Sequence, residues 1–159
     1  MVIGSQAILA TWPDSPASTR ASPEIDALPR NAAEWQATHG IEASEEINAL
    51  FGYLSEFHRA HGFYIDGVDE STATFPAGWR SRAVAREIDC DGRSVRIIAP
   101  EPHDLALSKL CRLDPRDAAF VYALYEASLL DRATLLSRLT AMAVPAEIGA
   151  RTRAFIEGL

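Results

Sequence analysis

Lysine is nearly missing from this chain, which has fourteen arginines but a single lysine, Lys109, among its 159 residues. Cysteine is almost as scarce. Cys90 and Cys111 are the only two, far apart and outside any metal-ligand spacing, and they are too few for a disulfide framework at this length. They are read as reduced thiols, so the expected compartment is the cytoplasm. No run approaches the ~20 apolar residues of a membrane span, so no membrane partner is expected. The N-terminal stretch MVIGSQAILATWPD has no positive charge ahead of its short apolar run. It is read as part of the fold, not as a secretory leader. The four histidines (His39, His58, His61 and His103) form no HExxH-type cluster, and His58 and His61 read as a solvated helix end.

Positive charge is short as a whole: 15 Lys and Arg stand against 22 Asp and Glu, for a net charge of −7. A general nucleic-acid coat protein is thereby excluded, although a focused basic contact, such as one for a tRNA end, is not. The arginine excess is the mark of a GC-rich genome. The lone lysine stands out against it.

What is present is an ordinary globular composition, 48% hydrophobic, in a length that suits one domain of ~100–200 residues. The expected organisation is a single unit over 1–159, with a sheet-containing core at 1–99 and a helical tail at 100–159. Val2-Ile3 reads as the end of a buried strand stopping at Gly4-Ser5, followed by a brief helix over Gln6–Ala10 and a Pro/Ser/Thr-rich segment to Pro23. Glu24–Leu28 alternates as a strand. Asn31 and Glu34 resemble a capping box for a helix ending at Gly40. Ser44 is expected to cap a long helix to about Ala60, with Ile47, Leu50, Phe51, Leu54 and Phe57 on one apolar face. Phe63–Val68 reads as a strand, and Ser81–Asp89 with Arg93–Ala99 as a hairpin about Asp91-Gly92. Helices follow from Pro102 to Arg112, from Arg116 to Leu130, after Asp131, and after Pro145. Short strands first and helices last make the class α+β, with a small mixed sheet.

Three segments could carry chemistry. Gly4-Ser5 leaves a strand for a helix start, where glycine admits a phosphate and free N–H groups favour an anion. Glu24 and Asp26, two apart on a strand, point to one face and can converge on a hard cation such as Mg²⁺ or Mn²⁺. The third segment runs from Glu101 to Leu110. Its Lys109, a lone lysine in an apolar helix, must snorkel, pair with a carboxylate or meet a ligand. The structural alternative there is an ion-pair network through Asp104, Arg116 and Asp117 that pins the helical tail to the sheet.

Together VIGSQAIL, the Ser22-x-Glu24-x-Asp26 element, SEFHRAHGFYIDGV, TATFPAGWRSR and EPHDLALSKL resemble a bacterial family of nucleotidyltransferase-like proteins of unassigned function. That family is related in fold to the nucleotidyltransferase toxins of abortive-infection and toxin–antitoxin systems, and the resemblance runs to about Leu139. It implies that the Gly4-Ser5 strand end and the Glu24-x-Asp26 strand lie side by side, that Gly4 and Ser5 hold nucleotide phosphates, that Glu24 and Asp26 ligate Mg²⁺, and that Lys109 approaches the phosphates or the target. A third carboxylate is expected on a neighbouring strand, with Asp66 and Asp89 as candidates. The chain departs from the pattern in carrying Glu24 where an aspartate is usual and in placing 18 residues between Ser5 and Glu24. Asp114-Pro115-Arg116-Asp117 stands where relatives have Arg-Glu-Lys-Asp, and the leading helix of the fold would precede Met1. Two functions stay open. One is a Mg²⁺-dependent nucleotidyltransferase that moves a nucleotide from an NTP to tRNA or protein as a toxin, with an antitoxin or a second copy as partner. The other is an inert relative that binds a nucleotide or a partner protein.

Overall fold

The computed structural model describes residues 1–159. A 3-10 turn at Ser5–Ala7 runs into α1 (Ile8–Thr11), and a second 3-10 turn lies at Ala17–Thr19. Next come β1 (Glu24–Ala27), α2 (Ala32–His39), α3 (Ala43–Phe51), α4 (Glu56–His61) and β2 (Tyr64–Gly67). They are followed by α5 (Trp79–Arg82) and the hairpin β3 (Val84–Cys90) and β4 (Arg93–Ala99). The rest is helical: α6 (Pro102–Arg112), α7 (Pro115–Glu126), α8 (Arg132–Leu139) and α9 (Ala146–Glu157). This is the α+β class with a helical C-terminal portion.

The small mixed sheet is two ladders joined by the N-terminal segment. β1 and β2 pair in parallel, with Glu24 opposite Tyr64 and Asp26 opposite Asp66, while β3 and β4 pair antiparallel. Val2 bridges Ala27 in the antiparallel sense. Ile3 N–H donates to the Asp26 carbonyl at 2.9 Å, and Val2 N–H to the Ile98 carbonyl at 2.8 Å. The Gly4-Ser5 strand end is therefore laid beside the acid-bearing strand.

Apolar burial is unevenly shared. Fourteen buried residues, among them Leu105, Leu107, Leu110, Val121, Leu124, Leu135 and Ile156, form one cluster that also takes in Ile8 and Ala99. A second cluster at the β1–β2 ladder has only Ile3, Leu28 and Val68. Three helices of the large cluster, α6, α7 and α8, are capped by acidic side chains. Glu101 accepts from His103 N–H, Asp114 from the Arg116 and Asp117 N–H groups, and Asp131 from Thr134 N–H, while Pro sits at the start of α6 and α7. Asp104, fully buried, is held by Arg82 of α5 at 2.8 Å and by Arg138 of α8 at 3.0 Å. It is the pin between the helical portion and the sheet-bearing half.

Several expected features move. The long helix from Ser44 to Ala60 is two helices, because α3 stops at Gly52, where a Cβ would lie 2.4 Å from the Asn48 carbonyl oxygen. Leu54 then takes a left-handed conformation (φ 64°), and Ser55 caps α4 by accepting from His58 N–H. The turn rotates the shared apolar face apart, so Leu50 and Leu54 are 54% and 60% exposed, and Phe51 lies at the surface too. α3 begins one residue before Ser44, with Glu42 at its cap position making no side-chain bond. Asn31 also offers α2 no side-chain bond, so the capping box is not formed. β3 starts at Val84 because Ser81 and Arg82 belong to α5. α7 ends at Glu126 rather than Leu130. Ser128 is left-handed (φ 58°), and the N–H groups of Ser128 and Leu129 bond back to Tyr125 and Leu124, a Schellman ending without glycine.

Candidate functional site

Residues two apart on a strand share a face, and paired residues of neighbouring strands share it too. The register of β1 and β2 therefore gathers Glu24, Asp26, Tyr64 and Asp66 on one surface. One carboxylate oxygen each from Glu24, Asp26 and Asp66 lies within 4.8 Å of the others. Asp66 is the third carboxylate. Asp89 is not: its carboxylate closes the β3–β4 turn by accepting from Gly92 N–H at 2.8 Å.

α3 positions Asp66 from behind. The Asn48 side chain accepts from Gly67 N–H at 2.5 Å and donates to the Gly67 carbonyl at 3.2 Å. Gly67 must be glycine for this contact, since a Cβ would fall 2.3 Å from the Ser44 carbonyl oxygen. Gly4 is constrained from the other side. Its φ is +31°, and a Cβ there would sit 1.6 Å from Asp26 Oδ2. The Gly4-Ser5 turn is thus pressed against the Asp26 carboxylate, and no larger residue fits.

The long connection between Ser5 and Glu24 is tied down. Gln6 Nε2 donates to the Arg20 and Ser22 carbonyls at 3.1 and 2.5 Å, and Ser22 Oγ accepts from Glu24 N–H at 3.2 Å. Thr19, buried, donates to the Pro16 carbonyl at 2.7 Å. These bonds return the chain to the start of β1 despite the extra length.

α6 supplies the positive charge. Lys109 Nζ donates to Asp117 Oδ1 at 3.0 Å and lies 4.8 Å from the centre of the Phe120 ring. Its side chain is 10% exposed, which rules out simple snorkelling into solvent. Arg112, one turn on, grips the same Asp117 through two bonds, at 2.6 and 3.0 Å. Arg116 contributes no ion pair; only its backbone N–H is engaged, by Asp114. The expected single network of Asp104, Arg116 and Asp117 is therefore two separate ones, Asp104 with Arg82 and Arg138, and Asp117 with Lys109 and Arg112.

Electrostatics join the two halves of the site. Burial raises the Glu24 carboxyl above its usual range, and the Asp26 and Asp66 charges raise it further, against the Tyr64 hydroxyl and Arg112. Burial also raises Asp26. Lys109 opposes that rise, Asp66 adds to it, and Arg112 opposes it. Burial thus disfavours the charged forms of Glu24 and Asp26, and the nearby positive charges offset part of that effect.

Two clefts meet here. One, of about 420 Å³, is walled by Gly4, Asp26, Phe75 and Ser108. The other, of about 720 Å³, is walled by Ser18, Thr19, Ser22 and Arg116. Both are lined by Ser5, Glu24, Lys109 and Arg112. Arg112 and Tyr64 escaped the sequence reading, although each had a signal: Arg112 lies three residues after Lys109 on one helix face, and Tyr64 two residues before Asp66 on one strand face. His58 sits at its helix start, where its Nδ1 accepts from Leu54 N–H at 3.0 Å.

A family model described as a nucleotidyltransferase of unknown function (DUF6036) matches residues 1–154. The chain belongs to that family of nucleotidyltransferases. No curated protein and no solved structure shows significant similarity to it. No helix is long and apolar enough to cross a membrane.

Proposed function

We propose that the protein is a Mg²⁺-dependent nucleotidyltransferase that moves a nucleotide from an NTP to an RNA or protein acceptor. The observation that carries this reading is the convergence of Glu24, Asp26 and Asp66 within 4.8 Å. Three hard carboxylate donors suit Mg²⁺ or Mn²⁺, and no softer ligand is among them. When bound, the cation would neutralise the phosphates of the NTP. The residues do the rest. Gly4, which lacks a side chain, and Ser5 admit the phosphates at the start of the first helix. Lys109 and Arg112 draw off the charge that develops on the leaving pyrophosphate. The acceptor oxygen bonds to the α-phosphorus, the bond to pyrophosphate breaks, and the hydroxyl proton passes to a carboxylate of the cluster.

The open, basic-walled clefts on both sides of Glu24 favour this activity over the inert alternative. Modification of an essential cytoplasmic RNA or protein would make the chain a toxin, held in check by an antitoxin or by a second copy. The direct test is incubation with each α-labelled NTP, Mg²⁺ and either total tRNA or cell lysate. Label should appear on a macromolecule with the wild type and not with Glu24→Ala/Asp26→Ala. Label transfer that survives in the double variant would refute the assignment.

A further inference from the structure

The cleft beside Asp26, of about 420 Å³, has two chemically different walls. β1 and α6 line it with Glu24, Asp26, Lys109 and Arg112. The connection between α8 and α9, with the first turn of α9, lines it with Ala143, Val144, Pro145 and Ile148. Val144 and Ile148 are half-buried, yet neither belongs to an apolar cluster or packs against one. They are apolar surface that the core does not use, in a cleft of the size that small ligands occupy.

This wall is fixed relative to the charged one. Buried Thr152 of α9 donates to the Leu110 carbonyl of α6 at 3.3 Å, and Arg151 to the Cys111 carbonyl at 2.8 Å. The connection is tied as well, since Ala77 N–H donates to the Ala141 carbonyl at 2.9 Å. A ligand that spans both walls therefore meets them already in place, which lowers the cost of binding. The second cleft is mostly polar. Ser18, Thr19, Ser22, Asp114 and Arg116 line it, and its aromatic ring, Phe120, is buried beneath Lys109.

An NTP is two-sided in the same way, with a charged phosphate chain and a base whose flat face is apolar. We propose that the wall of Val144, Pro145 and Ile148 receives the nucleobase of the NTP, with purines favoured over pyrimidines. The assignment rests on the NTP site proposed above and adds where the base lies in it. A purine covers more of an apolar wall than a pyrimidine does. Thr72, Thr74 and Ser108 of the same cleft carry hydroxyls, which donate or accept as a base edge requires, so adenine and guanine are held alike.

Calorimetric titrations in Mg²⁺ with ATP, GTP, CTP and ribose 5′-triphosphate test this, the last having the sugar and all three phosphates but no base. The wild type should bind ATP and GTP alike, CTP about threefold more weakly and ribose 5′-triphosphate about tenfold more weakly. Val144→Ser/Ile148→Ser should bind ATP about tenfold more weakly than the wild type and ribose 5′-triphosphate equally well. Val144→Thr, which keeps the shape and adds a hydroxyl, should show a smaller loss of the same kind. Ribose 5′-triphosphate bound as tightly as ATP by the wild type would overturn the base assignment, whether or not the variants fold. So would CTP bound as tightly as ATP, an unchanged ATP affinity in the double variant, or an equal loss for ATP and ribose 5′-triphosphate there. Each of these leaves the NTP site standing. A wild type that binds none of the four ligands would reject the NTP site, and the base assignment with it.

Discussion

The helical portion from Pro102 onward and the layer formed by β1, β2, α3 and α4 are built on different terms. The first holds most of a fourteen-residue core, with α6, α7 and α8 each capped by an acidic side chain and anchored by buried Asp104 and Asp117. The second has a three-residue core, clustered carboxylates, and Ile41, Leu50, Phe51, Tyr53, Leu54 and Phe63 at its surface. Stability is concentrated in one region, and the charge that chemistry needs in the other. α6 connects them, since Leu105, Leu107 and Leu110 enter the large core while Lys109 and Arg112, paired with Asp117, act on Asp26 through their charge.

The largest effects should fall in the helical portion. Asp104→Ala leaves Arg82 and Arg138 without their buried acceptor and should cost ~3–5 kcal/mol. Leu135→Ala, at a fully buried position, should cost ~2–5 kcal/mol. Urea midpoints at constant slope measure both, and losses under ~1 kcal/mol would erase the contrast between the regions. Lys109→Met is intermediate. Asp117 keeps both bonds from Arg112, so the loss should be ~1–3 kcal/mol, that of one charged hydrogen bond, accompanied by weaker nucleotide binding per folded molecule. Unchanged binding would make Lys109 purely structural.

A smaller effect depends on pH. Burial tends to raise the Glu101 carboxyl, but hydrogen bonds from His103 and Arg138 outweigh it and hold the pKa down at about 2. A carboxyl whose pKa is lower folded than unfolded stabilises above its unfolded value near ~4.3, and that contribution disappears as the pH falls toward 2. Stability of the wild type should therefore drop more steeply between those values than that of Glu101→Gln, as followed by urea titration at each pH. The smallest effect belongs to Leu54→Ala. Its side chain is in solvent, so the change should stay within ~0.5 kcal/mol, and a loss of several kcal/mol would mean that the α3–α4 layer has a core of its own.

The sequence was most legible where one residue dictates local geometry. Pro102, Asp131 and Pro145 marked helices that form within a residue of their expected starts, and Asp91-Gly92 marked the turn between β3 and β4. The acid-bearing strand was legible from alternation, and the nearness of Gly4 to Asp26 from the family resemblance. Legibility failed where tertiary contacts choose between local options. Leu50, Phe51 and Leu54 have helical spacing, but the close approach of Gly52 to Asn48 breaks the helix, and Ser55 starts another. Ser128 ends α7 in a conformation usually left to glycine. Spacing along the chain also could not decide between Asp66 and Asp89. The parallel register opposite Asp26 does. Nor could it divide Asp104 and Asp117 between two networks, because Arg82 and Arg138 are distant in sequence.

The central claim is that Glu24, Asp26 and Asp66 form a cation site whose repulsion the fold tolerates for function. Thermal melts of the wild type and Asp26→Asn, each in chelator and in millimolar Mg²⁺, test it most directly. Neutralising one half-buried acid should make Asp26→Asn melt above the wild type in chelator, while Mg²⁺ should raise the wild type and leave the variant almost unmoved. Equal Mg²⁺ shifts in both proteins, or a variant that melts lower in chelator, would contradict the account.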